Sequence, residues 1–227
     1  MDRRAQKKAQ TRELVRTTAQ RLFAERGFDA VTIADVARAS DVAVQTVFNH
    51  FATKEDLFFD GHVPWVTGVA DAVLHRAPDV SPLTALRANL IELMTTQVSS
   101  LDSAEERCYR ATIRGSEALR HHENTLILIA EQRLSEALLV AWSSPDSCCG
   151  EQTPLDPAIA APLTAAVWLA AVRVLIVENR LRVDQGHSAT EVAATLERVG
   201  DELFAHLQTG SAAIHELVTP SAARRAG

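Results

Sequence analysis

Two short segments in this chain each open with a Thr followed by an Asp three residues on: Thr32 with Asp35 and Thr53 with Asp56. In such a box the hydroxyl accepts the N–H of the third helical residue and the carboxylate reaches back to the cap, so both helix starts are fixed in the sequence. The first helix spans about Ile33 to Ala39. Ser40, Asp41, Val42 and Ala43 interrupt it, and Val44 to His50 resumes for one to two turns before Phe51 and the second box. Two short helices joined by a tight turn make a helix-turn-helix. Ahead of them, Leu14, Val15, Thr18, Ala19, Leu22 and Phe23 recur at helical spacing from Gln10 to Arg26, and Gly27 stops that helix.

The remainder continues in helices. A fourth is predicted from Lys54 to about Arg76, bent near Pro64, which lacks an N–H and crowds the preceding turn. Five more follow, starting at Ser81 with Pro82, at Ser103 with Glu106, from Glu123 to Trp142, from Pro157 to Arg182, and at Ser188 with Glu191. The last is amphipathic through Val192, Leu196, Val199, Leu203 and Leu207. Residues 144–155 read as a mobile polar loop and the chain after Gly210 as a loose tail. The expectation is an all-α chain of about nine helices. It divides into a helix-turn-helix domain over 1–53, a larger helical domain over 54–210 and a tail over 211–227. With 47% apolar residues and only 5% aromatic, 227 residues can bury a sizeable helical core.

Charge is unevenly placed. The chain carries −6 overall, yet residues 1–26 hold eight Lys or Arg against three acids, while residues 61–227 sum to −7. A basic arm and first helix on an acidic body suit a protein that presents one end to phosphate. Cys108, Cys148 and Cys149 form neither a disulfide framework nor a zinc pattern, which fits a reduced cytoplasm. The start, with Asp2, Arg3 and Arg4, has no signal-peptide core, and no apolar run is expected to span a bilayer. Pro157–Arg182 is the most apolar helix, to be covered on several sides or placed at an interface.

Catalysis finds no support. Ser116, Cys108 and His62 lack a nucleophile elbow, and no phosphate loop is present. His121 and His122 with Glu117 and Glu123 lack metal-ligand spacing, and adjacent histidines diverge on a helix, so a solvated helix junction is expected. Neither a metal nor a cofactor is implied.

The stretch from Leu22 to Leu57 closely resembles the DNA-binding domain of the TetR family. The resemblance rests on Gly27-Phe28, Thr32 with Ile33, Val36-Ala37, and the Phe48, His50, Phe51, Lys54, Glu55 and Leu57 series. It covers residues 1 to about 60; beyond that it is architectural. It implies an all-helical homodimer, usually a repressor, that binds double-stranded operator DNA and is released by a small molecule held in the C-terminal domain. The C-terminal helix arrangement faintly resembles the subset of the family with acyl-CoA-like ligands, so an apolar or acyl-CoA-like effector is one expectation. A regulator without a ligand, controlled by abundance or a protein partner, is the alternative. Asp41 and Phe48 depart from the family's usual Gly and Tyr.

Physical chemistry assigns roles to these positions. Ala43, Val44, Gln45 and Thr46 are small or polar enough for the second helix to enter a major groove. Gln45 can pair with adenine, Val44 can touch a thymine methyl, and Thr46 can bond a base or phosphate. Phe48, Asn49 and His50 complete that helix, with His50 open between phosphate contact and packing. Thr32 and Lys54 are expected to hold phosphate at helix starts, and Arg3, Arg4, Lys7 and Lys8 form the DNA-binding arm. Asp41 is expected in a left-handed turn, and Ala43 leaves helix-end donors uncapped. For an effector, Trp65, Met94, Tyr109 and Trp168 read either as core or as the lining of a cavity between helix four and the following bundle. Arg173, the only charge between Pro157 and Glu178, reads either as an anion anchor or as a partner of Glu131 or Glu136.

Overall fold

The computed structural model describes residues 3–143 and 156–218. The described chain is all-α, with ten helices in the order α1 Arg3–Arg26, α2 Ile33–Ala39, α3 Val44–Phe48, α4 Lys54–Phe59, α5 Trp65–Leu74, α6 Pro82–Ser99, α7 Ala104–Gly115, α8 Glu117–Ser143, α9 Pro157–Asp184 and α10 Ala189–Val218. The expected loop at 144–155 and the last nine residues of the expected tail lie outside the described residues.

Two of the four predicted capping boxes are seen at α2 and α4: Thr32 and Thr53 each accept from the N–H of their Asp, which accepts the Thr N–H in return. Ser81 caps α6 ahead of Pro82, and Asp156 accepts the N–H of Ala158 at 2.9 Å to open α9. Several helix boundaries differ from expectation, and α1 already starts at Arg3 and not at Gln10. The long fourth helix is two helices, because Asp60 turns to an extended conformation at the C-cap of α4 and Gly61 follows with φ 83°. Glycine takes that left-handed conformation without Cβ strain, and Pro64 then resets the chain for α5. Next, α8 starts at Glu117 and not near Glu123. Finally, α10 continues past Gly210 to Val218.

The chain divides into two compact units. The first comprises Met1–Pro64 together with Ala104–Thr125, so α7 and the opening turns of α8 belong to it. Its core is built from Val15, Ala19, Leu22, Phe23, Phe28, Val36, Val47, Leu57 and Phe58, all buried. Phe23, Phe28 and Phe58 meet at centroid distances of 5.2–5.8 Å, and Tyr109 of α7 stacks on Phe58 at 5.0 Å. Polar contacts add Ser116 Oγ donating to Asp29 at 3.1 Å and His122 against Asp56 at 3.2 Å.

The second unit comprises Trp65–Ser103 and Leu126–Gly227. Leu86, Leu90, Met94, Leu134, Leu138, Trp168, Leu196 and Phe204 form its core, with Trp168 stacked on Phe204 at 4.9 Å. Asp102 accepts the N–H of Ala189 at 3.1 Å, so a residue distant in sequence holds the first turn of α10. Arg87 Nε donates to Asp201 at 2.9 Å, tying α6 to the same helix.

Contrary to the expectation that no apolar run could span a bilayer, α9 is long and apolar enough by length and composition, with an 18-residue window of mean hydropathy 2.0. Only 22% of that window is buried. Ala161, Ala165 and Trp168 face the unit's core, while Ile159, Leu163, Val167, Val174, Val177 and Leu181 stay exposed. With Ala170, also exposed, between Val167 and Val174, the positions repeat every three or four residues, which is one continuous face of a helix.

Candidate nucleic-acid interface

The turn between α2 and α3 sets the geometry. Asp41 takes φ 52° as expected for a left-handed residue, and the Val42 N–H returns to the Ala37 carbonyl at 3.0 Å. Ala43 caps α3 through its backbone conformation alone, with no side-chain hydrogen bond, so the first N–H groups of α3 are without a side-chain acceptor. Only Val47 of α3 is buried, which anchors the helix by one face. Val44, Gln45, Phe48 and Asn49 are exposed, and Thr46 and His50 are half-buried. The Gln45 side-chain amide donates to Asn49 Oδ1 at 3.3 Å.

Beside that face lies a cleft of about 430 Å³ lined by Arg4, Lys7, Lys8, Thr11, Thr46, Asn49 and His50. Positions 4, 7, 8 and 11 fall on one side of α1 by helical spacing, so the arm and the end of α3 share one wall of positive charge. Burial first, then Lys8 and Arg12, push the His50 imidazole below its ordinary pKa, favouring its neutral form. Thr11 belongs to this wall and was absent from the sequence expectation, although its spacing from Arg4 and Lys7 could have revealed it.

Arg12, one residue further, is turned to other work. It donates to the His50 carbonyl at 2.7 Å, pairs with Asp60, and lies 4.3 Å over the Phe51 ring. It fixes the chain after α3 to α1, a contact over 38 residues that no local pattern signals.

Two expected phosphate ligands are engaged elsewhere in the free protein. Lys54 Nζ donates to the Phe28 carbonyl at 2.8 Å and the Val31 carbonyl at 2.9 Å, and sits 4.1 Å over the Phe28 ring. It clamps the turn between α1 and α2. The Thr32 hydroxyl donates to Asp35 at 2.6 Å while accepting the Asp35 N–H at 3.1 Å. Those hydrogen bonds hold the Asp35 carboxyl below its ordinary range.

The residues expected around an effector are divided between the two units. Met94 and Trp168 lie in the core of the second unit, and Trp65 is half-buried at its start. Tyr109 belongs to the first unit, stacked on Phe58 and, at 4.5 Å, on His62. Arg173 is exposed on α9, so the burial cost expected for its guanidinium does not arise.

Residues 15–60 match the family model described as bacterial regulatory proteins, tetR family. These residues form a TetR-type DNA-binding domain. The match begins in the buried half of α1 and ends at the turn that closes α4, so it takes in every element that places α3. No curated protein matches the chain in sequence. Among solved structures, the chain resembles SmeT, the repressor of the Stenotrophomonas maltophilia multidrug efflux pump SmeDEF. In its triclosan complex SmeT is 15% identical, with 84% of this chain and 89% of that one covered and a TM-score of 0.50. NalD, the secondary repressor of the MexAB-OprM multidrug efflux pump in Pseudomonas aeruginosa, is 19% identical over 86% of this chain and 95% of that one, with a TM-score of 0.48. At such identity the SmeT likeness is one of fold.

Proposed function

We propose that the chain is a transcriptional regulator of the TetR type, which binds operator DNA as a homodimer and represses transcription until a small-molecule effector releases it. The observation that carries the reading is the basic cleft beside the exposed face of α3. A duplex whose major groove receives Val44 and Gln45 would meet Arg4, Lys7 and Lys8 at its phosphates, with Arg3 ahead of them on the same arm. Thr46, Asn49 and His50 stand where α3 and the cleft meet. Phe48, exposed at the end of α3, offers an apolar face without the phenolic hydroxyl that a Tyr would bring to phosphate. Gln45 reads adenine through one acceptor and one donor, and Val44 packs on a thymine methyl.

Pairing with a second copy is supported by the uncovered apolar face of α9. Two copies of α3 must reach successive major grooves about 34 Å apart, or a multiple of that, to read a two-fold site. The effector part is supported by the apolar interior of the second unit around Met94 and Trp168, and by the SmeT fold, which holds triclosan in that protein. An apolar ligand or an acyl-CoA suits such an interior. To release the operator it must prefer the DNA-incompetent state by about 1–3 kcal/mol.

The test is selection of duplexes from a random library, followed by titration at several salt concentrations. A preferred two-fold sequence is expected, and Lys7→Ala with Lys8→Ala should lower the slope of log affinity against log salt by about 2. Recovery of no preferred sequence would refute operator recognition. Acyl-CoAs and hydrophobic anions are then tested for release of the selected duplex; failure of all of them would favour a regulator controlled by abundance or a protein partner.

A further inference from the structure

We propose that Asn49 is a specificity-positioning residue which holds the Gln45 amide in the orientation that reads adenine, an inference resting on the reading above that Gln45 faces a base. The two side chains stand one turn apart, at spacing i and i+4, where neighbours on a helix meet. The backbone reinforces the pairing, because the Asn49 N–H donates to the Gln45 carbonyl at 3.0 Å. The Gln45 Nε2 group then donates to Asn49 Oδ1 at 3.3 Å.

A glutamine side chain has three rotatable torsions and loses much of that freedom when it pairs with a base edge. A free Gln45 would search these states at each encounter, and its amide could present oxygen and nitrogen in either order. With one of the two Nε2 hydrogens directed to Asn49, the second remains free and Oε1 keeps its lone pairs. Adenine needs this remainder: a donor for its N7 and an acceptor for its N6 amino group. Asn49 thus removes freedom from Gln45 without using the atoms that read the base. The same residue lines the basic cleft, so it stands at the border between the base-reading face and the phosphate wall. The two roles that border allows, amide positioning or simple phosphate contact, predict different behaviour.

The experiment uses full-length protein and the duplex recovered by selection, with each base pair replaced in turn. Wild type, Gln45→Ala, Asn49→Ala, Asn49→Asp and the Gln45→Ala/Asn49→Ala double variant are titrated by fluorescence anisotropy at several salt concentrations. Gln45→Ala is expected to lose about tenfold or more of the preference for A·T at one base pair. Asn49→Ala should lose about two- to fivefold of the preference at that same base pair, with the salt slope unchanged. Asn49→Asp can only accept a hydrogen bond, so it should retain the preference while binding all duplexes more weakly beside the phosphates. The double variant should show no further loss of preference beyond Gln45→Ala alone. If Asn49→Ala weakens every duplex equally with a shallower salt slope, or changes nothing, while Gln45→Ala alters the preference, the positioning role is overturned and base reading stands. If Gln45→Ala leaves every preference intact, both readings fall. Melting curves confirm folding, and Asn49→Ser replaces Asn49→Ala if the latter does not fold.

Discussion

Lys54 spends two of its three ammonium donors on carbonyl oxygens within 2.9 Å and lies 4.1 Å from an aromatic face, so a structural role stands beside the phosphate contact expected of it. Its position before a helix drew attention to phosphate, because the sequence displays the neighbourhood along the chain and not the turn between α1 and α2 folded back upon it. Lys54→Met keeps much of the stem that packs on Phe28 but leaves both carbonyls without their donor. The expected outcome is a loss of about 1–3 kcal/mol of unfolding free energy in urea titration, with the salt slope of DNA binding unchanged among molecules that remain folded. A slope lowered by about 1, with stability intact, would restore Lys54 to the phosphate contacts. Arg12 teaches the same lesson: its partners His50 and Asp60 lie far along the chain. Thr32, Thr53 and Asp41 were legible because a capping box and a left-handed turn are contained within a few residues.

At the level of elements, the short helices of the DNA-binding segment were readable and the longer connections less so. The break between α4 and α5 needed Gly61 to be weighed with Pro64, but the apolar residues on both sides continue a helical pattern that hides it. Inclusion of α7 and the opening of α8 in the first unit depends on Tyr109 meeting Phe58 and on Ser116 meeting Asp29. Such contacts have no signature in periodicity, so the sequence leaves Tyr109 open between core and cavity lining. The α2–α3 turn yields a sharp prediction. Asp41→Gly removes the Cβ from a residue at φ 52°, and stability is expected to stay unchanged or rise by up to about 1 kcal/mol, since relief of strain is offset by a freer unfolded chain. Asp41→Val, β-branched at the same angle, should cost about 1–3 kcal/mol. Urea midpoints distinguish the two, and a Gly variant clearly less stable than wild type would contradict the strain argument.

For the whole molecule, the apolar face of α9 is the feature on which the proposed pairing depends. Val174→Glu places a charge in the middle of that face, where Val174 is 53% exposed in the single chain. Burying the carboxylate against a second copy is costly. Sedimentation is expected to show a single-chain mass at micromolar concentration, and affinity for the selected two-fold duplex should fall steeply while helicity is preserved. A variant that still sediments at twice the chain mass would move the interface elsewhere. Because α9 lies apart from α3 in sequence, a chain can keep the one and lose the other. A copy carrying Gln45→Ala with a damaged arm would still join normal partners, and each mixed pair would grip a two-fold site by one half only. Such an allele is expected to be dominant over the normal one in a cell that makes both, with derepression growing as the square of the normal fraction declines.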